Sequence, residues 1–421
     1  MSADLEDLLR QALHQRADGI VPNQPEWEDL LAPPAPGPPA RRQRLWLVVA
    51  TAAMAVLLPF LVVRYVTRIS HVNVNGGPGS AGPEASTASL TSGPPDAPLP
   101  AGFVPASVTR ISLRVEWVLG TSPCGAGRCS TLARSRDSGA TWHSILVPGP
   151  LINPDSSGVS RVRFANANDG WLFGPEVWAT HDGGTSWHQV TALGGPVTTL
   201  EAAAGTVWSL VGPSQGGATD GVSATVYAAP VATDDFKPVG PDAVVTSAGI
   251  SLHGKVGFTA TPDGTILALA AGGLDKRGEP CNVGSLAALA AAGDNDVVAV
   301  CAGDPGAGSS TKTLLLSHDG GRTWSTAGTA PRGGQVAGLG AASTHTFIVA
   351  AVSGASYFYR TSDGGRTWTT VFTDSEAGAP ITDLGFTDPS HGVAVLPSMP
   401  NPELLVSSDA GVTWKAQPFK P

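Results

Sequence analysis

The chain has 421 residues, a formal net charge of −9 and 14% charged residues. The charge is spread along the chain with no basic stripe of the kind phosphate backbones require, which sets nucleic acid aside as a partner. Abundant Gly and Pro, few aromatic residues and more Trp than Tyr read as an all-β chain of short strands and many turns. At the amino-terminal end, residues 1–43, Leu5, Leu8, Leu9, Ala12 and Leu13 recur at helical spacing ahead of Trp27 and a Pro-rich stretch from Pro33 to Pro39. This predicts a short amphipathic helix and a stiff spacer. Leu45 to Val63 then form an uncharged apolar run bounded by Arg41, Arg42 and Arg44 on one side and Arg64 and Arg68 on the other. About twenty such residues span a hydrocarbon core, so residues 44–66 are expected to be a transmembrane helix. No small-residue cleavage site follows, which favours an uncleaved anchor, and the Arg cluster favours a cytoplasmic amino terminus. Residues 67–101 are too polar and too rich in Gly, Pro and Ser to fold alone, and are expected to be a disordered stalk. The folded domain, residues 102–421, is then expected outside the membrane of a bacterial cell.

The four cysteines agree with that topology, since Cys124, Cys129, Cys281 and Cys301 all follow the apolar run. An even number on one side of a membrane predicts two disulfides in an oxidising compartment, Cys124 with Cys129 and Cys281 with Cys301.

One eight-residue pattern recurs in this domain: SRDSGATW (Ser135 to Trp142), THDGGTSW (Thr180 to Trp187), SHDGGRTW (Ser317 to Trp324), TSDGGRTW (Thr361 to Trp368) and SSDAGVTW (Ser407 to Trp414). Its aspartates are Asp137, Asp182, Asp319, Asp363 and Asp409, its glycines Gly139, Gly184, Gly321, Gly365 and Gly411, and its tryptophans Trp142, Trp187, Trp324, Trp368 and Trp414. The aspartates are separated by 45, 137, 44 and 46 residues, so the long step conceals two degenerate repeats and the total is seven. Seven candidate strand pairs, Ile111–Leu119, Val162–Phe173, Val197–Val211, Ile250–Thr259, Leu286–Cys301, Leu339–Val352 and Ile381–Leu396, support the count. Lys415 to Phe419 remain to finish the last repeat, with the segment near Phe103 to Ser107 as a candidate closing partner.

The pattern S/T-x-D-x-G-x-S/T-W resembles the Asp box of bacterial neuraminidase repeats. The resemblance implies a seven-bladed β-propeller in which each box joins the third and fourth strands of a blade. Its Asp and Ser/Thr would cap backbone amides, its Gly supply a positive φ, and its Trp pack between sheets. His181 and His318 occupy variable positions of the box, so the expectation is structural boxes with no catalytic residue, no metal and no cofactor.

Asp-box propellers occur in sialidases, xyloglucan-cleaving enzymes, sortilin ectodomains and photosystem II assembly factors, so fold leaves function open. A sialidase needs three clustered arginines and a Tyr–Glu nucleophile. Here Arg136, Arg322 and Arg366 fall on box turns, and Tyr357 and Tyr359 alternate along a strand. The expectation is therefore a non-catalytic ligand-binding, assembly or sensing module tethered to the membrane. A surface glycoside hydrolase and a transmembrane regulator remain as alternatives, the latter because the tail resembles those of actinobacterial proteins related to anti-sigma factors, without their zinc ligands. Partners would be an extracytoplasmic glycan or protein and a cytoplasmic protein at the tail. The loops expected to join second and third strands, Thr121–Arg128, Pro213–Ser223, Gly272–Pro280 and Gly303–Thr313, offer Asp220, Asp275, Lys276, Arg277 and Asp304 as candidate ligand contacts.

Overall fold

Strands begin where the apolar alternation begins and end at Gly, Pro or Asp turns, and in the computed structural model they assemble blade by blade. It describes residues 90–91, 97–125, 127–148, 158–212, 224–240, 249–270, 273–375, 381–396 and 402–420. These form seven antiparallel sheets, each a meander from an inner to an outer strand. Blade 1 contains Val104–Arg110, Glu116–Cys124, Gly127–Ser135 and His143–Ile145, and blade 2 contains Arg161–Phe164, Gly170–Phe173, Val177–Thr180 and Ser186–Gln189. Blade 3 runs from Val197–Ala203 to Lys237–Pro238, blade 4 from Ser251–His253 to Gly273–Lys276, and blade 5 from Ser285–Ala291 to Ser325–Ala330. Blade 6 runs from Gln335–Ala341 to Thr369–Asp374, and blade 7 from Thr382–Phe386 to Lys415–Ala416.

A four-stranded sheet leaves both faces apolar, so stability requires neighbours on each side. Each innermost strand contacts that of the next blade, and the seventh contacts the first, which closes the ring. Seven buried clusters result, one in each gap between blades. The gap between blades 1 and 2 stacks Trp117 on Phe164 with centroids 3.9 Å apart. The closing gap joins Val108, Val118 and Trp142 of blade 1 to Val393, Val395 and Leu404 of blade 7.

The five eight-residue turns are alike in detail. In each, the first hydroxyl accepts the glycine amide at 2.8–2.9 Å. The aspartate accepts the amide and the hydroxyl of the residue four positions on, at 2.8–3.0 Å and 2.6–2.7 Å. The residue after the aspartate donates its amide to the turn between the first two strands, as Gly183 does to Asn168 at 2.8 Å. Two consecutive residues adopt positive φ, and the first need not be glycine, since Ser138 and Ala410 take φ of 65° and 58°. Hydrogen bonds from Thr141 chiefly hold the Asp137 carboxyl down to about 2, and those from Thr413 outweigh burial to hold Asp409 at about 2. Their stabilisation is therefore complete above the ordinary carboxylate value of 3.8 and is lost as pH falls through about 2. Circular-dichroism melts between neutral pH and pH 2 should show the melting temperature falling across that window, and falling less in Asp137→Asn.

The structure departs from the sequence reading in several places. Strand pairing begins before Gly102: Leu90–Thr91 pairs with the outer strand of blade 2, and Ala97–Pro98 with that of blade 1. Each covers an outer edge that would otherwise present free amides. The first strand pair lies earlier than Ile111–Leu119, because Ile111 sits in the turn and donates its amide to Val115. Phe103 to Ser107 do not complete blade 7, which supplies its own outer strand at Lys415–Ala416, while Val104–Arg110 lines the axis of blade 1. Closure is made instead by side-chain packing, with the Trp142 amide donating to the Lys420 carbonyl at 2.9 Å. The segments expected to be a cytoplasmic tail and a transmembrane helix, residues 1–66, lie outside the described residues; among the described ones no helix is long and apolar enough to cross a membrane.

Both disulfides are present, Cys124–Cys129 across the hairpin of blade 1 and Cys281–Cys301 tying the approach to blade 5 onto its second strand. They close 5 and 20 residues of sequence respectively. Loop-closure entropy assigns about 2 kcal/mol to the short one and about 3 kcal/mol to the long one. Denaturant titration of Cys124→Ser/Cys129→Ser and Cys281→Ser/Cys301→Ser proteins should reproduce that order.

Candidate functional site

The seven inner strands surround an axial channel of about 870 Å³. Ala287 to Ala291 and Ala337 to Ala341 line one side, and its charge is concentrated on blades 1, 2, 3 and 7. Arg163 is the hub. Its Nε meets Glu201 at 2.8 Å, and a terminal nitrogen meets Asp383 Oδ1 at 2.9 Å. Arg161, two residues earlier on the same face of the strand, reaches Asp383 Oδ1 at 3.2 Å. The other Asp383 oxygen accepts the Val108 amide at 2.9 Å, so one blade 7 side chain binds blades 1 and 2 together.

Burial pushes the Asp383 carboxyl up, but Arg163 and Arg161 outweigh it and hold it below its ordinary value. At Glu201 burial prevails over Arg163 and the carboxyl rises. Burial also disfavours the charged Arg163, yet its two carboxylate partners hold it more firmly protonated than a free guanidinium. Arg110 is paired with Glu116 at 2.7 Å, with both side chains buried. Arg161 is different, with 36% of its side chain exposed. Among the described residues the channel thus presents to an anionic group one partly exposed guanidinium, Arg161, which also pairs with Asp383, while both of its carboxylates are engaged by arginine.

A second cluster lies on the face that carries the eight-residue turns, between blades 2 and 3. Blade 3 has lost its box, and the corresponding turn reads Thr233, Asp234, Asp235, Phe236, with buried Phe236 in place of the Trp. Asp234, at φ 50°, falls two residues before Phe236, where the boxes carry a variable residue, and its carboxylate reaches across the gap to blade 2. It accepts Trp171 Nε1 at 2.6 Å on one oxygen, and lies 2.8 Å from His181 Nε2 and 2.9 Å from His188 Nε2 on the other. His181 Nδ1 bonds Asp169 at 2.7 Å. Burial opposes the charge of His181, but Asp169 and Asp234 together raise its affinity for protons.

The residues expected to contact ligand are not brought together. Asp275 and Lys276 lie on the outer strand of blade 4, since Gly273–Lys276 pairs with Ile266–Ala270 and is no loop. Arg277 is paired with Asp275 at 2.8 Å, and Asp304 with Arg332 at 2.9 Å. Thr121–Arg128 and Gly303–Thr313 are largely hairpin, and Asp220 with the Pro213–Ser223 loop lies outside the described residues. Sequence reasoning missed Arg161, Arg163, Glu201 and Asp383. A signal existed in the Arg-Val-Arg of the second inner strand, because alternation places both arginines on one face.

No family model matches the chain, and no curated protein matches it. Solved structures do match. The propeller is similar to YCF48. YCF48 bound to D1 peptide aligns with 16% identity and a TM-score of 0.51 over 77% of this chain and 97% of that one. YCF48 from Cyanidioschyzon merolae aligns with 15% identity and a TM-score of 0.51 over 77% and 98%. A Mycobacterium tuberculosis puromycin-hydrolyzing peptidase aligns with 13% identity and a TM-score of 0.50 over 79% and 56%. At such identities the likeness to YCF48 extends to the fold alone.

Proposed function

We propose that this chain is a non-catalytic assembly module that receives an acidic polypeptide segment at the mouth of its axial channel. The observation that carries this reading is Arg161, a partly exposed cation that shares Asp383 with Arg163, in a channel whose carboxylates are both held by arginines. YCF48 bound to D1 peptide supports a protein ligand for a propeller of this shape. In this reading the repeated turns are Asp boxes of the neuraminidase type, and residues 44–66 anchor the propeller outside a bacterial membrane with the amino terminus inside. The two disulfides support an oxidising location.

Fluorescence anisotropy of the full chain against labelled acidic and basic peptides of matched length tests the binding. Acidic peptides should bind with salt-sensitive affinity, and Arg161→Glu should weaken them at least tenfold. Equal binding by the variant, or no binding, overturns the reading. Fluorogenic sialosides and β-glucosides should show no turnover; turnover would favour a glycoside hydrolase instead.

A further inference from the structure

The His181 and His188 imidazoles and the Asp234 carboxylate converge on one point, and we propose that they bind a divalent transition-metal ion, zinc foremost, which clamps blade 2 to blade 3. The proposal is independent of peptide binding at the channel.

The three donor atoms, two ring nitrogens and one carboxylate oxygen, all lie within 4.8 Å of one another. Metal bonds of about 2.0–2.1 Å in tetrahedral geometry set donor separations of roughly 3.3 Å. His181 Nε2 and His188 Nε2 lie 2.8 and 2.9 Å from Asp234 Oδ2, so small side-chain adjustments admit an ion. The imidazole rings are 5.6 Å apart and inclined by only 29°, presenting their Nε2 atoms to the same oxygen.

The supporting shell is also in place. A carboxylate donates no proton, so Asp169 accepts from His181 Nδ1 and directs the opposite nitrogen toward Asp234, the carboxylate–histidine arrangement that orients metal-bound imidazoles. Trp171, itself fully buried, fixes the other Asp234 oxygen by donating Nε1–H at 2.6 Å. When an ion displaces the proton that His181 shares with Asp234, two carboxylates facing two neutral imidazoles carry a charge that a dication balances. Two nitrogens and one oxygen suit zinc and its first-row neighbours better than magnesium or calcium, which prefer all-oxygen sites. The His188 side chain is 50% exposed and that of His181 32%, so an ion can enter, and water completes the coordination.

The repeat explains how the site arises. In intact boxes the aspartate is held by its own turn; with Phe236 at the Trp position, Val231 stands at the aspartate position of blade 3, and Asp234, two residues before Phe236, faces blade 2. His318 occupies the same box position in blade 5 as His181 in blade 2, but its Nδ1 meets only Asp296, at 2.6 Å. No second histidine joins it among the described residues.

Titration of the untagged full chain with zinc, by calorimetry and by competition with a chromophoric chelator, tests the site. One zinc per chain should bind with micromolar or tighter affinity and raise the melting temperature, and cobalt should give visible absorption bands of low-symmetry coordination. His188→Ala, at a half-exposed position, should fold normally and lose at least a hundredfold in zinc affinity together with the cobalt bands. Asp169→Asn should lose about ten- to a hundredfold. His318→Ala should bind as the parent does. The proposal is overturned if zinc fails to bind below millimolar concentration, if His181→Ala and His188→Ala both retain parental affinity, or if magnesium binds as tightly as zinc.

Discussion

Replacement of Trp142 by Ala is expected to cost the propeller about 3–5 kcal/mol, the range for removing a large, fully buried aromatic ring. Trp142 is 0% exposed and sits in the gap where blade 7 meets blade 1. Phe419 packs against it with centroids 4.9 Å apart, and its backbone amide donates to Lys420 at 2.9 Å. Truncation would therefore open a cavity at the one gap whose two sides come from opposite ends of the ring. Its indole nitrogen has no hydrogen-bond partner among the described residues, so no polar contact is lost to complicate the comparison. Trp324 and Trp368 occupy the same box position but are only part-buried, and their indoles donate to Gly321 and Gly365 at 3.1 and 2.9 Å. Their replacement should cost less, about 1–3 kcal/mol. Chemical denaturation of the three variants should show Trp142→Ala with the lowest midpoint. An equal loss in all three would show that the closing gap has no special weight.

Asp383→Ala should be of similar severity, about 3–5 kcal/mol, for an electrostatic reason. The Asp383 side chain is 4% exposed and is shared by Arg161, Arg163 and the Val108 amide. Removing it strands guanidinium charge in the channel wall and orphans a backbone donor, and breaking a buried ion pair from one side leaves the partner uncompensated. The double variant Asp383→Ala/Arg163→Met should recover part of the loss, because the charge that needed compensation is gone. A double-mutant cycle by urea titration measures this; additive losses would show that the two residues do not interact. Because Asp383 is held below its ordinary value in the fold, its contribution should be present at neutral pH and be lost as pH falls below the ordinary carboxylate range.

The number of blades and both disulfides were legible in the sequence, because a box turn is a local device. Ser, Asp, Gly and Thr within eight residues satisfy one another's hydrogen bonds, so the motif survives wherever the turn does, and its spacing counts the repeats. The Cys pairings follow from sequence proximity, across one short hairpin for Cys124–Cys129 and around one inner strand for Cys281–Cys301. Even the two blades without boxes announced themselves as gaps of the right length. The strand limits in blade 1 were less legible, since the strand continues through Pro105 and the turn falls at apolar Ile111.

The channel network and the histidine cluster were decided only by closure of the ring. Asp383 is separated by 275 residues from Val108 and by 220 from Arg163, and nothing in the local sequence of either marks the other. Asp234 sits in a degenerate turn 46 residues beyond His188, in a segment that reads as an ordinary acidic loop. His181 looked like a variable position of a structural box, because within its own turn it does nothing. What gives these residues chemistry is the radial packing of blades, which brings the axis-facing side chains of four blades into one low-dielectric wall. The same packing sets the turns of adjacent blades side by side on one face.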